Sequence, residues 1–439
     1  MIKRRRFPKV FFGWWTVIAS GIISFWGTGY SNTAASALFK PIASELGLGR
    51  AVTSVAASIA RFEGGFESPV TGWLTDRFGP RWVVTFGVFL IGLGLVLMNY
   101  VDSLWAYYLV WGGIVGTGHN IGLTIPLDKA ISNWFVKKRG LAISTKWMFS
   151  GFCPVLVLPL VAWLIIIHGW RMTCVIGGVV MWLVGLPLAW FFVKQHRPEY
   201  YGLLPDGATV EEEATEVSRM IDRGVEYATE VEEVEFTLRQ AIRTPAYWLL
   251  IASRAAQSMV TIAIIIHCIP FLTDMGIDPL VAAVIISMTS IARIPARFIS
   301  GLIADRIKKD HLRFLLAGTY LLQAAGITAF LLNQTMPMIY VFFILYNLGM
   351  GMSLPINTVM SARYFGRKAF GSIRGSSMIF ITPIGAIAPI YAGWIYDTTG
   401  SYVTAFTLFA VLLALAVVVI SLTFPPKPPA QITDIRKIV

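Results

Sequence analysis

Nine charged side chains inside or beside long apolar stretches of this 439-residue chain are candidates for chemistry, and six of them are basic. The cations are Arg61, Lys129, Lys146, Arg254, Arg293 and Arg297, and the acids are Glu63, Glu67 and Asp128. A charge in an apolar medium is disfavoured by about 2.5–3.5 kcal/mol on insertion scales, so each of these groups needs a partner or a polar cavity. A surplus of fixed positive charge in low dielectric is a receptor for an anion. Arginine suits a carboxylate because its planar fork holds both oxygens and stays protonated, whereas lysine acts as a point charge. Arg293 and Arg297 stand one helical turn apart on a shared face, where they repel unless an anion or an acid lies beside them.

The same stretches hold groups able to carry a proton. His119, with Asn120 beside it, is one candidate, and Glu67 and Asp128 are the carboxylate candidates. Every one of these residues also has a structural alternative. The cations can pair with acids at 63, 67 or 128, Arg61 with Glu63 and Glu67 can form an internal network, and His119 can be a hydrogen-bonded core histidine. His267 sits too near the end of its stretch to be favoured.

The elements that must position these groups are apolar runs, of which we count twelve, at approximately 12–38, 51–74, 82–101, 104–127, 141–166, 172–193, 246–272, 280–303, 313–332, 337–361, 375–395 and 402–423. Each has about the 20 residues a helix needs to cross a hydrocarbon layer about 30 Å thick. A composition 56% hydrophobic and 14% charged, with mean hydropathy +0.67, is too apolar for one soluble core. The expectation is an all-α membrane protein of 12 transmembrane helices in a multi-pass arrangement within the lipid bilayer of a cell membrane, the inner one if the source is bacterial.

Lysines and arginines in short loops favour the cytoplasmic side. Lys3-Arg4-Arg5-Arg6, Arg77 and Arg81, Lys137-Lys138-Arg139, Arg306, Lys308 and Lys309, Arg363, Arg367 and Lys368, and Lys427, Arg436 and Lys437 all fall on one side. The other side has little beyond Lys40, Arg50 and Arg171, so both termini are expected in the cytoplasm. This spread of the +12 net charge over many loops argues against nucleic acid as a partner. Cys153, Cys174 and Cys268 lie within apolar runs and read as small core residues rather than a disulfide framework. The basic start precedes a run too long for a signal-peptide core, so it reads as a retained first span.

A single long polar segment, 196–243, carries Glu211-Glu212-Glu213, Glu216, Asp222, Glu226, Glu230, Glu232, Glu233 and Glu235. With little to bury it is expected to be an acidic cytoplasmic linker between halves at 1–195 and 244–425, followed by a tail at 426–439. The halves share punctuation. Gly72-Trp73-Leu74-Thr75-Asp76-Arg77-Phe78-Gly79-Pro80-Arg81 returns as Gly301-Leu302-Ile303-Ala304-Asp305-Arg306. Trp134-Phe135 with Arg139-Gly140 is echoed by Tyr364-Phe365 with Arg374-Gly375 across a longer insert. Two homologous bundles in one chain are the pattern of proteins whose halves rock about a site held between them.

The Gly72–Arg81 turn resembles the loop signature of the major facilitator superfamily (MFS), G-x-L-a-D-R-x-G-x-R, and the resemblance covers the chain apart from linker and tails. Gly13-Trp14-Trp15, Trp134-Phe135 with Lys138-Arg139-Gly140, Gly169-Trp170-Arg171 and the run from Arg197 to Gly207 are similar to the monocarboxylate transporter and oxalate/formate antiporter branch. This resemblance implies two pseudo-symmetric six-helix bundles, with spans 5 and 8 facing each other. It implies a carboxylate-binding arginine four residues before the glycine and eight before the aspartate of the second turn, which is Arg297. Phe298 stands where that branch often has proline, and the span 11 lysine of oxalate-transporting members is absent, which speaks against oxalate.

On that reading Arg297 and Lys146 lead as carboxylate ligands, with Arg293 third and Arg254 in reach of the same cavity. Asn120, Trp26, Tyr30, Asn32, Tyr346 and Asn357 are further lining candidates. Gly72, Asp76, Arg77, Gly79, Arg81, Gly301, Asp305 and Arg306 are implied to form a cytoplasmic gate. The function expected is secondary transport of a small organic anion, most of all a monocarboxylate, by proton symport or anion exchange, with a monomer sufficing. The competing expectations are a polyspecific exporter of drugs or aromatic compounds and, from other classes, a non-transporting receptor or an intramembrane enzyme. No H-E-x-x-H, G-x-x-x-x-G-K-[ST] or G-x-S-x-G occurs in the chain, so no enzyme, cofactor or metal is expected.

Overall fold

The computed structural model describes residues 10–47, 50–208, 221, 223, 224, 227 and 234–427, with the side chains of 39, 50–61, 279, 280, 283 and 386 excepted. Lys3 to Arg6, the Arg61 side chain, the acids from Glu211 to Glu233 and the pair Arg436 and Lys437 therefore lie outside the described residues.

The described residues form helices and no strand. In the first half these are α1 (Phe12–Thr28), α2 (Ala35–Glu45), α3 (Arg50–Phe78), α4 (Pro80–Leu97), α5 (Leu104–Tyr107), α6 (Gly116–Gly122), α7 (Ile125–Trp134), α8 (Arg139–Gly151), α9 (Cys153–Val180) and α10 (Leu186–Phe192). After the linker come α11 (Leu238–Ile242), α12 (Pro245–Asp274), α13 (Pro279–Ser290), α14 (Arg293–Arg306), α15 (Leu312–Leu332), α16 (Met336–Phe365), α17 (Phe370–Thr399) and α18 (Val403–Ser421).

Seven helical segments among the described residues are long and apolar enough to cross a membrane. One of them, Arg139–Phe192, holds two of the apolar runs, separated where Gly169 takes φ +75°. Only a residue without Cβ adopts that angle freely. The run at 280–303 is divided between α13 and α14, and the runs at 12–38 and 104–127 contain π turns at Gly29–Thr33 and Tyr108–Val115. Large apolar side chains such as Trp105, Ile166 and Leu332 are almost fully exposed on the outer surface, as lipid-facing side chains are.

Two apolar cores occupy the two halves, the first running from Ile23 to Val193. The second is built mainly from α12 to α18 but reaches into the first half at one end, through Ile131, Trp134, Phe135, Ala142 and Ile143. The halves meet along two helix pairs, α3 on α17 and α8 on α14. Each contact is made by glycines from opposite halves. A Cβ on Gly72 would overlap the Gly371 carbonyl, and one on Gly301 would overlap the Gly140 carbonyl and the Ser144 hydroxyl. Small residues are what allow two helix backbones to come this close.

These contacts correct the register of the second echo. The counterpart of Gly140 is Gly371 and not Gly375, because Gly371 faces Gly72 and Asp76 as Gly140 faces Gly301 and Asp305. Phe365 thus precedes its glycine by one residue more than Phe135 does. A further departure concerns the linker, whose ends bury a good deal. Glu199 and Phe236 are 3% and 2% exposed. Phe236 donates its N–H to Phe365 O at 3.0 Å and packs edge-on against that ring. Asp206 accepts the N–H groups of Val136, Lys137 and Lys138 at 3.1, 2.8 and 2.9 Å.

Candidate functional site

At the end carrying the paired turns, each aspartate caps a helix of the opposite half. The first turn of a helix leaves N–H groups unpaired and attracts negative charge. Asp76, ending α3, accepts the N–H groups of Gly371 and Ser372 at 3.0 and 2.7 Å. Asp305, ending α14, accepts those of Gly140 and Leu141 at 2.6 and 2.8 Å. Lys129 pairs with Asp76 and Arg363 lies 3.6 Å from Asp305. Arg77 lies over the Trp73 ring at 5.1 Å, and Arg81 donates to Val193 O at 3.1 Å and lies over Trp190. Gly79, at φ +82°, turns the chain out of α3, and Arg306 is exposed.

Beyond this closed end a cavity of about 760 Å³ lies between the halves. One wall carries Ser31, Asn32, His119 and Asn120, and the other Arg254, Gln257, Thr261 and Thr382. Apolar side chains, Phe62, Trp111, Ile262, Met350 and Met378 among them, fill the spaces between these polar groups. The π turn at Gly29–Thr33 aims Ser31 and Asn32 at the histidine. Ser31 Oγ lies 2.8 Å from His119 Nδ1, and Asn32 Nδ2 lies 3.2 Å from Nε2. Glu67 sits just behind, accepting from Thr117 Oγ1 at 2.5 Å and from Asn120 Nδ2 at 3.2 Å.

The arginines divide by position. Arg254 is on the cavity wall and makes no hydrogen bond or ion pair among the described residues. Arg297 is 8% exposed and lies off that wall, with Nη1 donating across the seam to Trp147 O at 2.8 Å and Nε unpaired. Arg293 donates to Asn347 Oδ1 at 2.5 Å. None of the three has an acidic partner among the described residues. Lys146 takes the structural alternative, an ion pair with Asp128 at 3.2 Å, both side chains almost fully buried, with its ammonium over the Trp147 ring. The structure thus brings Arg254, His119, Asn120 and Asn32 to one cavity and leaves Lys146 and Arg297 outside it.

All three aromatic candidates also lie off the wall. Trp26 donates to Gly177 O at 3.0 Å, Tyr30 packs on Gly177 in the core of the first half, and Tyr346 donates to Thr261 Oγ1 at 3.1 Å from one layer behind. Sequence reasoning overlooked Arg374, whose Nη1 lies 3.8 Å from Asp128 Oδ2. It stands five residues into α17 and is buried, and a buried cation in an apolar helix is the signal that an acid must hold it. Glu199 and Arg367 were overlooked too. They pair at 3.3 Å, linking the linker to the α16–α17 turn.

The sequence profile of the Major Facilitator Superfamily matches residues 21–387. Monocarboxylate transporter 13 of Rattus norvegicus is 24% identical over 363 residues, which cover 81% of this chain and 76% of that protein. The oxalate:formate antiporter of Oxalobacter formigenes is 22% identical over 412 residues, covering 91% of this chain and 90% of its own length. Among solved structures, that of a human organic anion transporter superposes with a TM-score of 0.64 at 13% identity, over 92% of this chain and 99% of the other.

Proposed function

We propose, from the premise that this chain belongs to the Major Facilitator Superfamily, that it is a secondary active transporter moving small organic anions, monocarboxylates foremost, across a cell membrane by alternating access. The protein is a transporter and not an enzyme, and its relatives act on monocarboxylates, oxalate and formate. Twelve spans and cytoplasmic termini complete the proposal. The turns at Asp76 and Asp305 then form a cytoplasmic gate that is closed, and the cavity faces outward.

The observation that supports this reading best is the set of three arginines, Arg254, Arg293 and Arg297, held about the seam without acid partners among the described residues. Unpaired cations in a low-dielectric interior are disfavoured by several kcal/mol, and an anion relieves that cost. Arg254 is the first of them an entering anion meets. Arg297 has a free Nε and a carbonyl partner contributed by the other half, so it suits binding that is completed as the halves rock. The apolar wall selects an anion with an organic body. His119, held by Ser31 and Asn32, is the proposed proton carrier for symport.

Uptake of labelled formate, lactate, pyruvate, oxalate and larger carboxylates into proteoliposomes, with and without a pH gradient, tests this reading. Saturable carboxylate uptake is expected, and counterflow without a gradient would assign exchange. Uptake of uncharged aromatic compounds in preference, undiminished in Arg254→Ala and Arg297→Ala, would instead assign a polyspecific exporter.

A further inference from the structure

Below the cavity, toward the closed end, lies a second and much smaller chamber, with about 20 Å³ of free volume. Arg254 and Ile381 line both spaces, so the two adjoin. Arg374 forms part of the chamber's far wall, together with Asn357, Ser361 and Ser377. It is 3% exposed, and its Nε and Nη1 have no hydrogen-bond acceptor. Its ionic partner among the described residues, Asp128, is 3.8 Å away and already holds Lys146 at the shorter distance of 3.2 Å. Asp128 is therefore shared between Lys146 and Arg374, and Arg374 faces the chamber together with Arg254.

We propose that this chamber is a carboxylate head-group subsite, in which Arg254 and Arg374 together receive the anion while its organic body remains in the larger cavity. The subsite rests on the reading of the protein as an organic-anion transporter. Its size supports the assignment, since about 15 Å³ accommodates one water-sized group. A carboxylate oxygen fits, and an organic body does not. The unpaired N–H groups of Arg374 supply the donors, and a charge-assisted fork is the strongest form such a contact takes.

Arg374 also links the halves, which gives its engagement a consequence. Asp128 and Lys146 both belong to the first half, whereas Arg374 and Thr358, whose hydroxyl lies 3.5 Å from Asp128, belong to the second. An anion arriving at Arg374 competes with Asp128 for it. When the anion wins, Asp128 keeps Lys146 within its own half and the ion pair across the seam is released. Binding of the anion thus weakens the closed arrangement from within, and the substrate itself unlocks the carrier.

The test uses the full-length protein in nanodiscs, with binding of formate, pyruvate and phenylacetate followed calorimetrically. Spin labels at the exposed positions Lys138 and Lys308, one on each half, report opening of the gated end. Arg374→Gln is expected to weaken carboxylate binding about tenfold or more, Arg374→Lys less so, the loss of one charge-assisted contact. Asp128→Asn is expected to strengthen binding several-fold, because Arg374 is freed. Both Arg374→Gln and Asp128→Asn should lengthen the ligand-free distance between the labels, as carboxylate does in the unaltered protein. Binding unchanged in both folded Arg374 variants, or weakened as much by Asp128→Asn, would reduce Arg374 to a structural partner and overturn the subsite alone. An unaltered protein that binds none of the three carboxylates would remove the anion-transport reading, and the subsite with it.

Discussion

Asp305 and Gly140, 165 positions apart in the chain, are joined by a hydrogen bond of 2.6 Å from the glycine N–H to the carboxylate. The bond runs between halves, and Asp76 makes its pseudo-symmetric counterpart with Gly371. Because each carboxylate accepts two N–H groups from the first turn of a helix it does not belong to, the closed end is held by helix ends as much as by ion pairs.

Asp305→Ala should therefore destabilise the closed arrangement. A hydrogen bond to a charged group contributes about 1.5–3 kcal/mol, so losing even one moves a two-state equilibrium about tenfold or more. Spin labels at Lys138 and Lys308 should show a longer mean distance in the variant. A distribution unaltered from the parent would mean that the cap has no part in closure.

Gly72→Val and Gly301→Val place branched side chains where the opposite backbone already lies. Both should fold, because each half keeps its own core, yet neither should close at the gated end. Loss of transport with normal expression and a normal melting temperature is the expected result. Full activity in either variant would contradict the close approach of α3 to α17 or of α8 to α14.

Arg254→Ala should raise the KM for carboxylate uptake at least tenfold, since it removes the arginine that lines the cavity among the described residues. Arg297→Lys should keep the charge but lose most transport, because the planar fork is lost. Unchanged kinetics in Arg297→Lys would remove that residue from the ligand set.

His119→Gln retains groups that can bond Ser31 and Asn32 but carries no titratable proton. If transport is proton symport through His119, acid stimulation of uptake should vanish while exchange at constant pH persists. Continued stimulation by acid in the variant would clear His119 and leave Glu67 or Asp128 to be tested in the same way.

Phe236→Ala should destabilise the protein by about 3–5 kcal/mol, the usual cost of emptying a buried aromatic site. Equilibrium unfolding monitored by tryptophan fluorescence would measure it. A loss below about 1 kcal/mol would return this end of the linker to the status of a passive tether.

The sequence by itself determined the helical membrane architecture, the doubled turn and the aspartates that close it, because these depend on run length, composition and local spacing. It also marked the basic surplus in the interior. Which cation faces the cavity was left to the tertiary structure. Helices that are apolar on every side, with lipid outside and core within, carry little amphipathic record of their rotation, so residue type alone could not separate Arg254 from Arg297. Nor could it pair Asp128 with Arg374 or Thr358, since those contacts span the two halves and arise only when two surfaces distant in sequence are brought together. Burial of the linker ends has the same origin: Glu199 and Phe236 look like ordinary loop residues until the turn bearing Phe365 and Arg367 is folded against them.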